Sequence, residues 1–167
     1  MLLPPTVSRI FWPPLISIVG ASTTARPAGA RTKMSALFDS MSVLDNVTYA
    51  LREHTKMTDE QMLERAKECL DMVGLGYDRG IMYRMPASLS GGMRKRAALA
   101  RSIAIKPEVI LYDEPTTGLD PANIERIGAM IQKLQKELQV TSIVVTHDMQ
   151  IALERSDRVA MLHEKKF

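Results

Sequence analysis

Four short stretches of this sequence hold residue types suited to phosphate and a divalent cation. Ser90-Gly91-Gly92 stands ahead of a basic, Ala-rich segment. A serine at a helix N-cap followed by glycines presents backbone N–H groups and the positive end of the helix dipole, which together make an anion site. A plain capped helix after a loop accounts for the same three residues. Val109 to Pro115, "VILYDEP", is an apolar run that ends in two acids. At the carboxyl edge of a parallel sheet, where ligands bind, Asp113 could hold Mg2+ through water and Glu114 could polarise an attacking water. Two solvated acids at a strand end are the plainer account. Asp120 precedes Pro121, and helix capping is a sufficient reason for it. His147 ends the next apolar run, at the same expected sheet edge as the two acids.

These residues need elements to carry them. "SVLDNVTYALREH" has helix-compatible spacing. "TDEQMLERAKECLDMVG" predicts an amphipathic helix, with Thr58 and Gln61 as a capping box and Gly74 as its stop. Met62, Ala66, Cys69, Leu70 and Val73 fall on one face, so Cys69 reads as a small core residue. A loop with Gly76, Gly80 and Pro86 leads to Ser90, and the helix that follows runs to about Ile105, closed by Pro107. "VILYD", "SIVVTH" and "RVAMLH" read as strands. "PANIERIGAMIQKLQKEL" and "DMQIALERS" read as the helices between them. Strands alternating with helices predict an α/β fold with a parallel sheet.

The 167 residues suit about one domain with a real core. Net charge is +3, but residues 1–38 carry +4 and the remainder −1. The basic excess therefore sits in the N-terminal stretch, and nucleic acid is not expected as a partner. Cys69 is the only cysteine, which excludes an intrachain disulfide and a cysteine metal cluster. His54, His147 and His163 lack metal-ligand spacing. The most apolar run, "IFWPPLISIVGA", is too short and too proline-broken for a span of about 20 residues. Residues 1–34, rich in Pro, Ser, Thr, Ala and Arg and free of acids, read as a leader. It is a signal or transit peptide, an unstructured leader, or sequence read through from a wrong start.

Taken in order, "LSGGM", a helix, "ILYDEP", "TGLD" and "VVTHD" resemble the C-terminal run of ABC-type ATPases, over roughly Ser35 to Lys166. The resemblance implies a partial P-loop NTPase fold. Residues 35–106 would hold a Q-loop remnant and the helical subdomain with the signature motif. Residues 107–167 would hold the Walker B to switch-histidine half of the parallel RecA-like sheet, and 1–34 would be a non-homologous, disordered leader. It implies ATP and Mg2+ as cofactors. Leu89 to Met93 would be the signature, with Ser90, Gly91 and Gly92 meeting the γ-phosphate of ATP held by a second ATPase subunit. Asp113 would be the Mg2+ acid, Glu114 the catalytic base, Asp120 the D-loop acid and His147 the switch histidine.

The wording "ALFDSMSVLDNVTYALREHT" and "LSGGMRKRAALARSIA", with Met93 in place of the signature glutamine, is similar to the ATPases of MCE-type (Mla-like) lipid transporters. That implies phospholipid transport between bacterial membranes. It also implies a place on the cytoplasmic face of the inner membrane, with a permease and an MCE-type lipid-binding protein as partners. An organelle transit peptide at 1–34 stays open, as do a different cargo and a non-catalytic partner that only donates its signature.

One part of the pattern is missing. None of the nine glycines begins or completes G-x-x-x-x-G-K-[ST], the loop that cradles the phosphates. The Q-loop glutamine position falls on Lys33, where the resemblance has already stopped. The expectation is therefore a truncated chain that is inactive alone, with the edge of the His147 strand left unpaired. Arg94, Lys95 and Arg96 read as a solvated helix face.

Overall fold

The computed structural model describes residues 15–19, 31–34, 37–76, 78 and 80–161. Five strands form one sheet in the order β2-β3-β4-β1-β5. They are β1 (Leu15–Val19), β2 (Arg31–Met34), β3 (Val109–Asp113), β4 (Thr141–Thr146) and β5 (Arg158–Met161). β2, β3 and β4 run parallel, with Arg31 and Thr141 both opposite Val109. β1 runs antiparallel to both β4 and β5. The helices are α1 (Val43–His54), α2 (Asp59–Met72), α3 (Gly91–Ile103), α4 (Pro121–Leu138) and α5 (Met149–Arg155). α1, α2 and α3 pack on one another, α3 reaches β2, α4 lies on β4 and α5 on β1.

Local chemistry explains most boundaries. α2 starts at a complete capping box, Thr58 with Gln61, and Gly74 just beyond it takes φ +66°, the left-handed conformation that favours glycine. Its face of Met62, Ala66, Cys69, Leu70 and Val73 is at most 6% exposed. Burial pushes the Cys69 thiol up to about 11, so it packs as an inert apolar group. α4 begins with Asp120 as N-cap and Pro121 in the first turn. One apolar cluster runs from Met34 and Val47 through Leu70 and Leu99 to Ile110, Ile131 and Val144, so the helices and the sheet share a core.

Two expectations do not hold. Residues 15–19 and 31–34 are not a leader outside the fold; they are strands of the sheet. Residues 1–14 and 20–30 of that stretch lie outside the described residues. The outer edge of β4 is not bare either, because β1 pairs along it from Leu15 opposite Thr146 to Val19 opposite Ser142. The run Leu-Ile-Ser-Ile-Val has the β-branched content that strands favour, and it gives the backbone groups of β4 their partners. The direction is the consequential part. Leu15 lies at the Thr146 end, so Val19 lies at the end of the sheet opposite Asp113.

α3 is closed by a side chain from elsewhere. Arg65 of α2 is 7% exposed. It donates from Nε to Ala104 O at 3.0 Å and from Nη2 to Ile103 O at 2.8 Å. The Ile103 carbonyl also accepts from Lys106 N–H at 3.0 Å, whereas the Ala104 carbonyl, at the C-cap, relies on the arginine. Arg65→Met keeps the stem and strands the Ala104 carbonyl, at a cost of about 2 kcal/mol. Thermal unfolding followed by circular dichroism is expected to show Tm lower by about 6 °C. An unchanged Tm would mean that another donor reaches this carbonyl.

Candidate functional site

β3 delivers its two acids to the carboxyl edge of the parallel strands. Asp113 is its last residue and is exposed. Glu114 leaves the strand with φ +48°, an uncommon conformation for a residue with a side chain. That turn is tied down at both ends. Glu114 N–H donates to Val145 O on β4 at 2.9 Å, and the Glu114 carbonyl accepts from Thr117 N–H at 3.3 Å. β4 ends at Thr146, so His147 arrives at the same edge. His147 Nδ1 donates to Glu114 Oε2 at 2.7 Å, and Thr117 Oγ1 donates to the same oxygen at 2.9 Å. A carboxylate oriented by two donors, one of them an imidazole, is suited to aligning and polarising a water.

The Ser90-Gly91-Gly92 turn is a capped helix start. Ser90 Oγ accepts from Met93 N–H at 3.2 Å, which leaves its own O–H to donate. The first N–H groups of the helix have no intrahelical partner. The turn lies against the start of α4. A Cβ added at Gly92 would stand 2.9 Å from Asn123 Oδ1, and one at Gly91 3.5 Å from Leu119 Cδ2. Asn123 in turn donates from Nδ2 to Asp120 Oδ2 at 2.6 Å and from its backbone N–H to Oδ1 at 3.1 Å. Those bonds, the side-chain one first, hold the exposed Asp120 carboxyl below its ordinary value.

The seven sequence-predicted residues thus fall into two groups. Asp113, Glu114 and His147 share the sheet edge, while Ser90, Gly91, Gly92 and Asp120 share the meeting of α3 with α4. A cavity of about 540 Å3 joins the groups, with Gly91 on one wall and Asp113, Thr117 and Gly118 on another. For Mg2+ the fit is that of a single carboxylate. Mg2+ is commonly held by one or two carboxylates, water and substrate phosphates. Among the described residues no cluster of three His, Cys, Asp or Glu could cage a metal alone.

Three residues of this site escaped the sequence reading: Thr117, Asn123 and Lys95. The basic cluster is a solvated face only in part: Arg94 is exposed and Arg96 half-exposed, while Lys95 reaches Glu114. Arg94 donates from Nη1 to Leu89 O at 2.5 Å, Arg96 from Nη1 to Gly74 O at 2.9 Å, and Lys95 from Nζ to Glu114 O at 3.2 Å. Burial lowers the pKa of Lys95, with Glu114 and Asp113 opposing. A signal was available. Gly91, Arg94, Lys95 and Ala98 repeat at i, i+3, i+4 and i+7, and all four line the cavity. Counting from the glycine rather than from the charges would have turned Lys95 inward.

The sequence model of the ABC transporter family matches residues 16–117. The "Intermembrane phospholipid transport system ATP-binding protein MlaF" of Escherichia coli K12 is 40% identical over 154 residues, 89% of this chain and 56% of that protein. Its Haemophilus influenzae counterpart is 41% identical over 138 residues, 83% of this chain and 51% of that protein. The "Probable ribonucleotide transport ATP-binding protein mkl" of Mycobacterium leprae is 41% identical over 130 residues, 78% of this chain and 37% of that protein. The chain therefore spans between about a third and just over half the length of these curated relatives. Among solved structures, a dimeric bacterial ABC transporter cassette superposes with a TM-score of 0.62 at 33% identity, over 76% of this chain and 59% of that one. A dimeric post-hydrolysis cassette bound to ADP and Pi gives 0.65 at 31%, over 80% and 63%. No helix among the described residues is long and apolar enough to cross a membrane.

Proposed function

This chain belongs to the ABC transporter family, and we propose that it supplies the signature, Walker B and switch-histidine parts of an ATP-binding subunit acting on ATP across a dimer. The observation that carries the reading is the Glu114 carboxylate. His147 and Thr117 orient it beside Asp113, on a cavity whose other wall begins at the Ser90-Gly91-Gly92 turn. Glu114 aligns the attacking water, and His147 holds Glu114. Asp113 would hold Mg2+, which would neutralise phosphate charge. Ser90 and the N–H groups of Gly91 and Gly92 face a phosphate held by the other subunit, and Asp120 works across the same interface.

The cargo we propose is phospholipid. The phospholipid-transport relative from E. coli aligns over 154 residues against 130 for the mycobacterial protein named for ribonucleotide, at nearly equal identity. Met93 at the last signature position points the same way. The complex would then place this chain on the cytoplasmic face of the inner membrane, against a permease and an MCE-type lipid-binding protein. A second reading is a partner that donates Ser90 and Gly92 and takes no part in hydrolysis. It is favoured by the lack of a G-x-x-x-x-G-K-[ST] loop in these 167 residues.

The test is nucleotide-dependent association. Mixed with the E. coli relative, Mg2+ and a slowly hydrolysed ATP analogue, the chain is expected to form a heterodimer in light scattering. It should form none with ADP. Ser90→Arg fills the phosphate-facing side of the turn and should weaken association at least about tenfold. Association that ignores both the nucleotide and Ser90→Arg would overturn the proposal. If association follows the nucleotide, Glu114→Gln separates the two readings in a chimera that joins the phosphate-cradling segment of the E. coli relative ahead of this chain, because only the catalytic one then loses turnover at this chain's site.

A further inference from the structure

We infer that Lys95 is a positioning residue for Glu114, a strut from the signature helix to the turn that carries the base. The inference rests on the reading of Glu114 as that base. Glu114 adopts φ +48°, which strains a residue with a side chain and persists only where its surroundings fix it. His147 and Thr117 hold its carboxylate, and the bonds that fix its backbone are few. From the neighbouring strand comes Val145 O, which receives the Glu114 N–H. From the following turn comes Thr117, whose N–H reaches the carbonyl and whose hydroxyl reaches the carboxylate. From α3, nineteen residues earlier in the chain, comes Lys95 Nζ, 3.2 Å from the Glu114 carbonyl.

The three tethers differ in what they hold. Thr117 moves with the same turn, so it cannot anchor the turn to the rest of the molecule. Val145 fixes the N–H side. Lys95 fixes the carbonyl side. With both the N–H and the carbonyl held, the rotation about the Glu114 N–Cα bond is set, and with it the direction in which the side chain leaves toward His147. An ammonium suits the task. It is a compact donor with three N–H bonds on a long stem, its charge opposes those of Glu114 and Asp113, and its stem runs beside Ala98 along the cavity wall. The helix that begins at Ser90 is thereby bonded directly to the turn bearing the base.

The experiment is amide exchange and carbonyl chemical shift by NMR on the full chain, for the wild type, Lys95→Met and Lys95→Arg. In Lys95→Met the Glu114 and Thr117 amides are expected to exchange about tenfold faster. The Glu114 carbonyl resonance should move, while the amides of Cys69 and Leu70 in α2 stay as they were. Lys95→Arg, which keeps a cationic donor, should restore most of the protection. Lys95→Gln, whose shorter amide does not reach the carbonyl, gives the same answer where Lys95→Met does not fold. Glu114 and Thr117 signals unmoved by loss of the ammonium would overturn the strut. Because these readouts need no turnover, they stand apart from the assignment of the base. In a chimera that supplies the phosphate-cradling segment, hydrolysis unaffected by Glu114→Gln would overturn that assignment and leave the strut in place.

Discussion

Given ATP and Mg2+ at saturating concentrations, the purified 167-residue chain is expected to release phosphate no faster than its Glu114→Gln variant. The reason is the division of labour at a phosphoryl-transfer site, where catalysis is mostly positioning and charge stabilisation. Glu114, His147 and Asp113 provide for the water and the cation. The β- and γ-phosphates need a cradle of backbone N–H groups and a lysine, and no G-x-x-x-x-G-K-[ST] occurs in the sequence. The strand that precedes Gly20 cannot stand in for that cradle, because β1 runs antiparallel to β4. Val19 pairs with Ser142, at the far end of the sheet from the Asp113–Val145 pair. Removing one preorganised donor from an oxyanion site slows catalysis by about 10²–10³, and a whole cradle of donors takes the rate below the floor of a phosphate-release assay. Turnover that Glu114→Gln abolishes would refute the expectation. It would mean that this chain holds the phosphates by other groups.

The strand Leu15–Val19 is hard to recognise from its own residues. Leu15 to Val19 follows Pro13 and Pro14 in an acid-free stretch, so its composition matched a targeting segment as well as a strand. Only the pairing with β4 and β5 distinguishes the two, and pairing is non-local. Its direction is less legible still, since alternation along a strand is the same read either way. α2 is the opposite case. Its capping box, its apolar face and its closing glycine are all local signals, and all three appear as expected. The site divides likewise. Asp113, Glu114 and His147 were readable because an apolar run ending in a polar residue marks a sheet edge. Lys95 was not, because its partner is the carbonyl of Glu114, which no pattern in the α3 sequence encodes.

Asn46 is a further residue of this kind, and its loss is expected to destabilise the fold more than any surface change. Asn46 lies in the first half of α1 and is fully buried, although asparagine is usually exposed. Its amide is saturated by the loop that brings the chain from β2 to α1. Oδ1 accepts from Phe38 N–H at 2.8 Å, and Nδ2 donates to the carbonyls of Phe38, Met41 and Ser42 at 3.0, 3.1 and 3.0 Å. Leu37 and Asp39, next to Phe38, line the cavity beside Asp113, so the bonds that close this loop also shape one wall of the site. Asn46→Ala leaves the Phe38 N–H and the Met41 carbonyl without their partner; the Phe38 carbonyl keeps the Met41 N–H and the Ser42 carbonyl keeps the Asn46 backbone N–H. At about 1–2 kcal/mol for each, the loss is roughly 2–4 kcal/mol, a fall in Tm of about 5–10 °C by calorimetry.

Asn46→Asp sharpens the test, because it preserves shape and replaces the NH2 donor with an oxygen. Ionised, that oxygen would face three carbonyls in a buried site, so both burial and repulsion raise its pKa in the folded state. A carboxyl whose folded pKa lies above the unfolded value of about 3.9 binds its proton more tightly when folded. The penalty is therefore full at neutral pH, where the unfolded chain ionises freely. It shrinks as pH falls toward the unfolded value, where the neutral acid can donate to one carbonyl. The Tm gap between Asn46→Asp and the wild type should thus be wider than that of Asn46→Ala at pH 7 and should narrow steadily toward pH 4. A gap independent of pH would show the new carboxyl to be solvated, and the loop from Phe38 to Ser42 to be held by something other than this amide.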